Sequence, residues 1–159
     1  LFVSKDVTAA STRYRALAYF PYLRQAGWSP THLTADSARS YWDVLHRARQ
    51  ADVVVVLRRT FSFPIFHLLR RAARRLVFDF DDAVFVHNDG SASSRRMARF
   101  THMVRRADQV FAGNRYLAGI ATRVGRRREA VGRCLRGSLN STGRSITAFD
   151  SGNGSLMKL

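Results

Sequence analysis

Lysine, glutamate and cysteine are almost missing from this chain. Its 159 residues include two lysines, Lys5 and Lys158, one glutamate, Glu129, and one cysteine, Cys134. A single cysteine can neither close an intramolecular disulfide nor form a thiolate zinc site, which fits a reducing compartment. The longest aliphatic run, residues 53–57, is far below the roughly 18 apolar residues of a spanning helix. The sequence indicates neither membrane insertion nor secretion, and it favours a cytoplasmic location.

Positive charge is abundant and comes almost entirely from arginine. The chain has 27 basic and 11 acidic residues, for a net charge of +16 at pH 7. Such uneven usage first indicates codon bias in a GC-rich genome, although the net charge does favour anionic partners. Nucleic acid is disfavoured among them because the arginines are dispersed in pairs, as on solvated helix faces, at 58–59, 70–71, 74–75, 95–96 and 105–106.

Strand and helix patterns alternate through most of the chain. The hydrophobic fraction of 46% is enough for one domain with a buried core. β-branched and apolar runs predict strands near 1–4, 28–34, 52–57, 75–79 and 109–112. Helices are expected near 13–26, with a kink at Pro21 and Gly27 at its end, and then at 38–50, from Pro64, around 97–107 and at 114–123. This alternation predicts an α/β fold with a Rossmann-like, doubly wound parallel sheet.

The pattern stops near residue 125. From there the sequence is rich in arginine, glycine and serine, and its apolar residues follow neither the helical nor the strand period for long. We expect no sixth strand in this segment and interpret 125–159 as an irregular tail that is disordered or aberrant. The predicted domain is therefore 1–124.

Ligands of open parallel sheets bind beyond the carboxyl ends of the strands, where helix N-termini also point. This rule selects candidate residues at the end of each predicted strand. They are Ser4 and Lys5, then Arg58 and Arg59, then Asp79, Asp81 and Asp82, and finally Gly113 and Asn114. Arg13 and Arg15 follow the first strand at a predicted helix N-terminus, where arginine is disfavoured unless it binds an anion. These two arginines form a phosphate or carboxylate site, are solvated, or hold Asp79 or Asp82 internally.

Asp79, Asp81 and Asp82 form the most informative cluster. Three carboxylates within four residues repel one another and need cations, helix N-termini or protonation to coexist. They could bind magnesium, or they could cap the next element and pair with the arginines. His87, in a loop rich in serine and asparagine, could act as an acid or base or could be a plain surface histidine.

The segment Arg75–Val84 resembles the first motif of haloacid-dehalogenase-type phosphatases, with a nucleophile at Asp79 and an acid/base at Asp81. That family has threonine or valine where this chain has Ala83, and its motif usually lies on the first strand of the domain. A phosphatase-like hydrolase therefore stays an alternative, as does a non-catalytic basic module that binds anions or nucleic acid.

A stronger resemblance covers residues 1 to about 124. Several ordered blocks are similar to the N-terminal half of GT-B glycosyltransferases of family 4 (glycosyl transferases group 1). They are Leu1–Ser4, Ser11–Arg15, Pro21–Gly27, Ala51–Arg59, Asp79–Phe85, Arg105–Asp108 and Val110–Leu117. In that family two Rossmann-like domains face each other across a cleft, the N-terminal one holding the acceptor and the C-terminal one the nucleotide-sugar.

The resemblance implies a retaining glycosyltransferase whose acceptor is a sugar or a lipid-linked molecule. It implies that a metal is dispensable and that the acceptor side is lined by Arg13, Arg15, Arg58, Asp81, Asp82 and Asn114. We count Arg59, Asp79 and His87 among the acceptor-binding candidates as well. No cofactor is expected besides a nucleotide-sugar co-substrate, and no catalytic residue is assigned. The basic surface is compatible with peripheral contact with an anionic membrane.

The chain also departs from that family after residue 124. Val131–Leu135 replaces the family's usual strand and turn, and the donor domain with its paired glutamates is absent. The resemblance therefore implies a fragment, the acceptor-binding half of an enzyme, which we expect to be inactive alone.

Overall fold

The computed structural model describes residues 1–125 and the backbone of 145–148. Six parallel strands form one sheet in the order β2-β1-β3-β4-β5-β6. They are β1 (Phe2–Ser4), β2 (His32–Thr34), β3 (Val53–Leu57), β4 (Arg75–Phe80), β5 (Gln109–Ala112) and β6 (Ser145–Ala148). The predicted α/β class with a parallel sheet is confirmed.

Six α-helices are described between these strands, all within residues 1–125. They are α1 (Ala10–Arg15), α2 (Phe20–Gln25), α3 (Ala38–Gln50), α4 (Phe63–Ala72), α5 (Ser94–Arg106) and α6 (Arg115–Gly125). Helices α3, α4, α5 and α6 pack side by side in chain order. The step from β1 to β2 runs across the sheet in the opposite direction to the later steps from β3 to β6. Since right-handed crossovers are the rule, this puts α1 and α2 on the opposite face of the sheet from α3 to α6. The sheet is therefore doubly wound, and its direction of growth reverses between β1 and β3.

The main core lies between the sheet and helices α3 to α6. Alternate residues of β4 point into it, and Leu76, Phe78 and Phe80 are fully buried there. The Phe100 ring from α5 contacts Phe78 at 6.0 Å and Phe80 at 5.1 Å between centroids. These aromatic contacts cover β4 on this face of the sheet. Strands covered on both faces have apolar runs without polar alternation, which is the pattern that predicts β3 and β4.

The segment after β1 differs from its prediction. One helix over 13–26 is expected, but the chain forms α1, a 3-10 turn (Leu17–Tyr19) and α2. Pro21 lies in the first turn of α2, where backbone N–H groups have no partner within the helix, so the missing N–H of proline costs no hydrogen bond. The predicted kink at Pro21 is therefore a break just before it. Gly27, with φ of 84°, ends the segment as expected.

The first helix also begins earlier than the predicted residue 13 and has no side-chain cap. Ser11 and Thr12 lie inside α1, and its N-cap residue, Ala9, makes no side-chain capping bond. The Thr12 hydroxyl instead donates to the carbonyl of Asp6 at 2.7 Å and is almost fully buried. It therefore holds the loop after β1 against the helix.

The expectation of no sixth strand is wrong at residues 145–148. Strand β6 pairs with β5 in parallel, with Val110 opposite Ile146. Lack of apolar periodicity around this short strand hides it from sequence patterns. The rest of the predicted irregular tail, at 126–144 and 149–159, lies outside the described residues.

No helix in the described part of the chain is long and apolar enough to cross a membrane.

Candidate functional site

Five of the predicted site residues meet at the carboxyl edge of the sheet. Arg15 ends α1, Arg58 follows β3, and the three aspartates lie at the end of β4 and just after it. We call Arg15, Arg58, Asp79, Asp81 and Asp82 the Arg–Asp cluster. Neighbouring parallel strands end on the same edge, which is why residues distant in sequence converge there.

Arg15 and Asp79 form a two-point ion pair in the cluster. Arg15 Nε donates to Asp79 Oδ2 at 3.0 Å, and Arg15 Nη2 donates to Oδ1. Asp79 is only 6% exposed. Arg15 lies in the last turn of α1, where a cation is favourable, so the predicted placement of Arg13 and Arg15 at a helix N-terminus is wrong. Of the alternatives left open for Arg15, the structure shows internal pairing with Asp79.

Burial is the largest single influence on the pKa of each residue in this pair. It raises the pKa of the Asp79 carboxyl because the charged form is poorly solvated, while Arg15 opposes that rise and Asp81 adds to it. Burial lowers the pKa of Arg15, but the hydrogen bond and attraction to Asp79 outweigh it, and the net direction is upward. The two charges are therefore held by each other rather than by water.

Arg58 occupies an unusual backbone conformation. Its φ of 49° makes it the only non-glycine residue with a positive φ in the described part of the chain. Its N–H donates to the Asp79 carbonyl at 2.8 Å, and its Nη2 donates to Asp82 Oδ2 at 2.7 Å. Its Nε lies 3.1 Å from Asp81 Oδ1. A left-handed arginine held by three aspartates is local strain of the kind found at functional sites.

The two oxygens of Asp81 differ in accessibility. Oδ1 is enclosed and forms an ion pair with Arg58 Nε at 3.1 Å without the geometry of a hydrogen bond, while the side chain as a whole is 31% exposed. The Asp81 backbone also abuts β5, since a Cβ atom on Gly113 would lie 2.6 Å from Asp81 Cα. Gly113 therefore lets the end of β5 approach Asp81, which sequence patterns alone do not reveal.

Asp82 and Asn114 organise the local backbone. Asp82 Oδ1 accepts from the N–H of Ala83 at 2.8 Å, while its other oxygen accepts from Arg58. Asn114 Oδ1 accepts from the N–H of Leu117 at 2.9 Å and so caps the start of α6. Asn114 lies at the predicted edge, and its observed contact is this capping bond.

Arg59 lies beside the cluster but has different partners. Its guanidinium carbon lies 5.6 Å from the ring centroids of both Tyr41 and Phe61. Its Nη2 donates to the Tyr41 hydroxyl at 2.5 Å. The sequence predicts Arg59 at the edge but not these two aromatic residues, because Tyr41 is indistinguishable from the other apolar residues of the α3 stripe.

Two predicted site residues show no contact with the cluster. Arg13 is exposed, and its guanidinium lies over the neighbouring Tyr14 ring at 5.9 Å. His87 is exposed in a loop after β4, where its backbone N–H donates to the Ser91 carbonyl. It borders a depression of about 500 Å³ that Asn88, Asp89, Ser91 and Arg96 also line. These positions agree with the solvated alternatives left open for both residues.

The three aspartates do not make a metal centre with other ligands. Within 1–125 no group of three or more histidine, cysteine, aspartate or glutamate side chains is placed to hold a metal ion. Both oxygens of Asp79 face Arg15, whereas the phosphatase resemblance requires an open nucleophile at that position. The cluster is instead suited to binding hydroxyl groups, which can donate to a carboxylate and accept from an arginine.

A second depression, of about 520 Å³, lies between α4 and α5 and was not predicted. His102 lines it and contacts the Phe63 and Phe66 rings at 4.8 and 5.3 Å between centroids. Burial lowers the pKa of His102, and the charges of Arg106 and His67 add to this. These ring contacts make His102 part of the packing between α4 and α5.

Comparisons with protein-family models, with curated proteins and with solved structures find no match to the chain. Its function is therefore inferred from the fold, from the geometry of the Arg–Asp cluster and from the order of its sequence blocks.

Proposed function

We propose that residues 1–124 form the acceptor-binding domain of a retaining, nucleotide-sugar-dependent glycosyltransferase of the GT-B type. The ordered blocks that resemble family 4 support this proposal. In the fold five of the seven blocks supply β1, α1, β3, the end of β4 and the turn from β5 into α6, which are the parts that meet at the carboxyl edge.

The observation that carries the proposal is the Asp81 carboxylate, which is ion-paired with the strained Arg58 and whose side chain is 31% exposed. Because Asp81 Oδ1 is enclosed, an acceptor hydroxyl could donate to the other oxygen, Oδ2, and accept from an arginine N–H of the cluster. A carboxylate beside an arginine offers both an acceptor and a donor, so the site favours a hydroxyl ligand.

The cluster would act by positioning. Sugar transfer needs the acceptor hydroxyl held against the anomeric carbon while the departing diphosphate is neutralised. In this proposal Asp81 orients the hydroxyl. Arg58 fixes Asp81 and Asp82 through its ion pairs with both, and Arg15 fixes Asp79. The groups that bind the diphosphate would belong to a second domain facing this edge.

The acceptor in this proposal is a sugar or a lipid-linked molecule, and the setting is the cytoplasm or the cytoplasmic face of a membrane. The net charge of +16 supports peripheral contact with an anionic surface, which would bring a lipid-linked acceptor near the site.

The test is nucleotide release from mixed nucleotide-sugars in the presence of sugar and lipid-linked acceptors. The 159-residue chain should give none, and the longest protein encoded by the parent reading frame should give nucleotide and glycosylated acceptor. In that longer protein Asp81→Asn should abolish transfer. Arg71→Gln should not, because Arg71 is an exposed residue in the last turn of α4, at the opposite edge of the sheet.

Transfer by the 159-residue chain on its own would contradict the proposal of a half-site. An unimpaired Asp81→Asn enzyme would contradict the role given to the cluster. Magnesium-dependent hydrolysis of a phosphate ester that Asp79→Asn abolishes would support the phosphatase alternative instead.

A further inference from the structure

The three arginines at this edge differ in how their charge is balanced. Arg15 is paired with Asp79, and Arg58 with Asp81 and Asp82. Arg59 follows Arg58 directly, yet within residues 1–125 it forms no ion pair with a carboxylate. Unlike the charges of Arg15 and Arg58, its positive charge is left for a ligand to neutralise.

The guanidinium of Arg59 is also held in place. The rings of Tyr41 and Phe61 meet edge to face at 6.0 Å between centroids, and the guanidinium contacts both. Such contacts with aromatic faces fix the plane of the arginine and reduce the entropy lost when it binds a ligand. Arg59 Nε is enclosed without a hydrogen-bond partner, so the side chain is strongly desolvated on that side.

Two hydrogen-bond donors of this arrangement have no acceptor among the described residues. The Tyr41 oxygen accepts from Arg59 Nη2, so its own O–H proton is left for another group. Arg59 Nη1 has no partner in the described part of the chain and, unlike Nε, is not enclosed. One oxyanion could accept from both groups.

The position of the pair suits an anion. Arg59 follows β3, and Tyr41 lies in the first turn of α3, beside the point where the sheet reverses its direction of growth between β1 and β3. The first turn of a helix carries partial positive charge, which adds to that of Arg59. A planar guanidinium with two free N–H groups matches the oxygens of a phosphate.

We propose that Arg59 and Tyr41 bind a phosphate group, and that this phosphate belongs to the acceptor. The second half of this statement rests on the proposed function, whereas phosphate binding by Arg59 does not. The acceptor would then be a phosphorylated molecule whose hydroxyl reaches Asp81 while its phosphate lies on Arg59.

The experiment is calorimetric titration of the 159-residue chain with glycerol 3-phosphate, with parallel NMR detection of the Arg59 Nε–H signal. We expect saturable binding, weakened about tenfold or more in Arg59→Gln and about threefold in Tyr41→Phe, since one charged and one neutral donor are lost. Arg59→Lys keeps the charge but lacks the planar set of guanidinium N–H groups, so its affinity should lie between those of the unchanged protein and Arg59→Gln. Arg71→Gln removes the same charge at the opposite edge and should change affinity less than about twofold.

Several results would overturn the proposal. They are no saturable binding up to about 50 mM, equal weakening by Arg59→Gln and Arg71→Gln, or glycerate binding as tightly as glycerol 3-phosphate. Circular dichroism of each variant shows whether it is folded, and Arg59→Lys replaces Arg59→Gln in the comparison if the latter is not.

Vesicles separate the two sources of phosphate. If the chain binds vesicles of phosphatidic acid in phosphatidylcholine more tightly than glycerol 3-phosphate, and this binding depends on Arg59, the phosphate belongs to a lipid. If it binds glycerol 3-phosphate more tightly than the vesicles, the phosphate belongs to a soluble acceptor. Loss of glycerol 3-phosphate binding in Arg59→Gln alongside no transfer by the longer protein would overturn the proposed function and leave the phosphate site standing.

Discussion

Arg15 and Asp79 are 64 positions apart in the chain and form a two-point ion pair across the carboxyl end of β3. The pair ties the helix after β1 to the end of β4, on the side of the sheet that α1 and α2 cover. It therefore couples the shape of the candidate site to the packing of α1.

Arg15→Gln should destabilise the fold by about 3 kcal/mol near neutral pH, because it leaves the buried Asp79 carboxylate without its partner. Asp79→Asn should cost less, since it removes the buried charge and leaves Arg15, which is more exposed than Asp79, an amide oxygen to bind. Urea unfolding of the three proteins measures both differences. A larger loss in Asp79→Asn than in Arg15→Gln would contradict the dominance of burial at Asp79.

The cost of Arg15→Gln should also depend on pH. Burial already raises the Asp79 pKa above its ordinary value of 3.8, and loss of Arg15 removes the influence that opposes this rise. Between 3.8 and the raised value the folded state holds more protons than the unfolded chain, so stability falls as pH increases. The variant should lose more stability at about pH 7.5 than at about pH 4.5. Equal losses at both pH values would contradict this.

Arg58→Gly should be more stable than Arg58→Ala by about 1 kcal/mol, because only glycine adopts a positive φ without steric cost. Both variants lose the contacts with Asp81 and Asp82, so their difference isolates the backbone strain at φ of 49°. Chemical denaturation of the two variants measures it. If Arg58→Ala were the more stable, strain at this position would not be part of the site.

Gly113→Ala should destabilise the protein by about 1–3 kcal/mol, because the new Cβ would overlap the backbone of Asp81. Gly119→Ala is the matched control. Gly119 lies in α6 with nothing within 4 Å of a Cβ atom, and alanine there should stabilise by up to about 1 kcal/mol. Thermal unfolding of both variants measures the two changes in stability, which should have opposite signs. If both variants were stabilised or both destabilised, the close approach of β5 to Asp81 would be contradicted.

His102 should make the protein less stable in mild acid. Its pKa lies below 6.5, first because of burial, so the folded state holds fewer protons than the unfolded chain in the window beneath 6.5. Its contribution is present above that pH and is lost as pH falls. His102→Gln should flatten the decline in stability between about pH 7.5 and pH 5. Parallel pH profiles for the two proteins would show that His102 does not cause it.

The elements that depend on local pattern were predictable. Helix α3 was predicted at its observed bounds, 38–50, from its apolar stripe. Strands β3 and β4 are apolar runs that only a covered sheet accommodates. The first connection was not predictable, because the break between α1 and α2 depends on how the segment packs over β1 and β3.

The sequence by itself determined the alternation of strands and helices, and with it the edge where Arg58, Asp79 and Asp81 had to emerge, since parallel neighbours end together. Only the tertiary structure decided which charges pair, that Arg59 lies against Tyr41 and Phe61 instead of an aspartate, and that β5 touches Asp81 at Gly113. Those choices depend on distances of a few ångströms between segments far apart in the chain, and spacing along the chain carries no information about them.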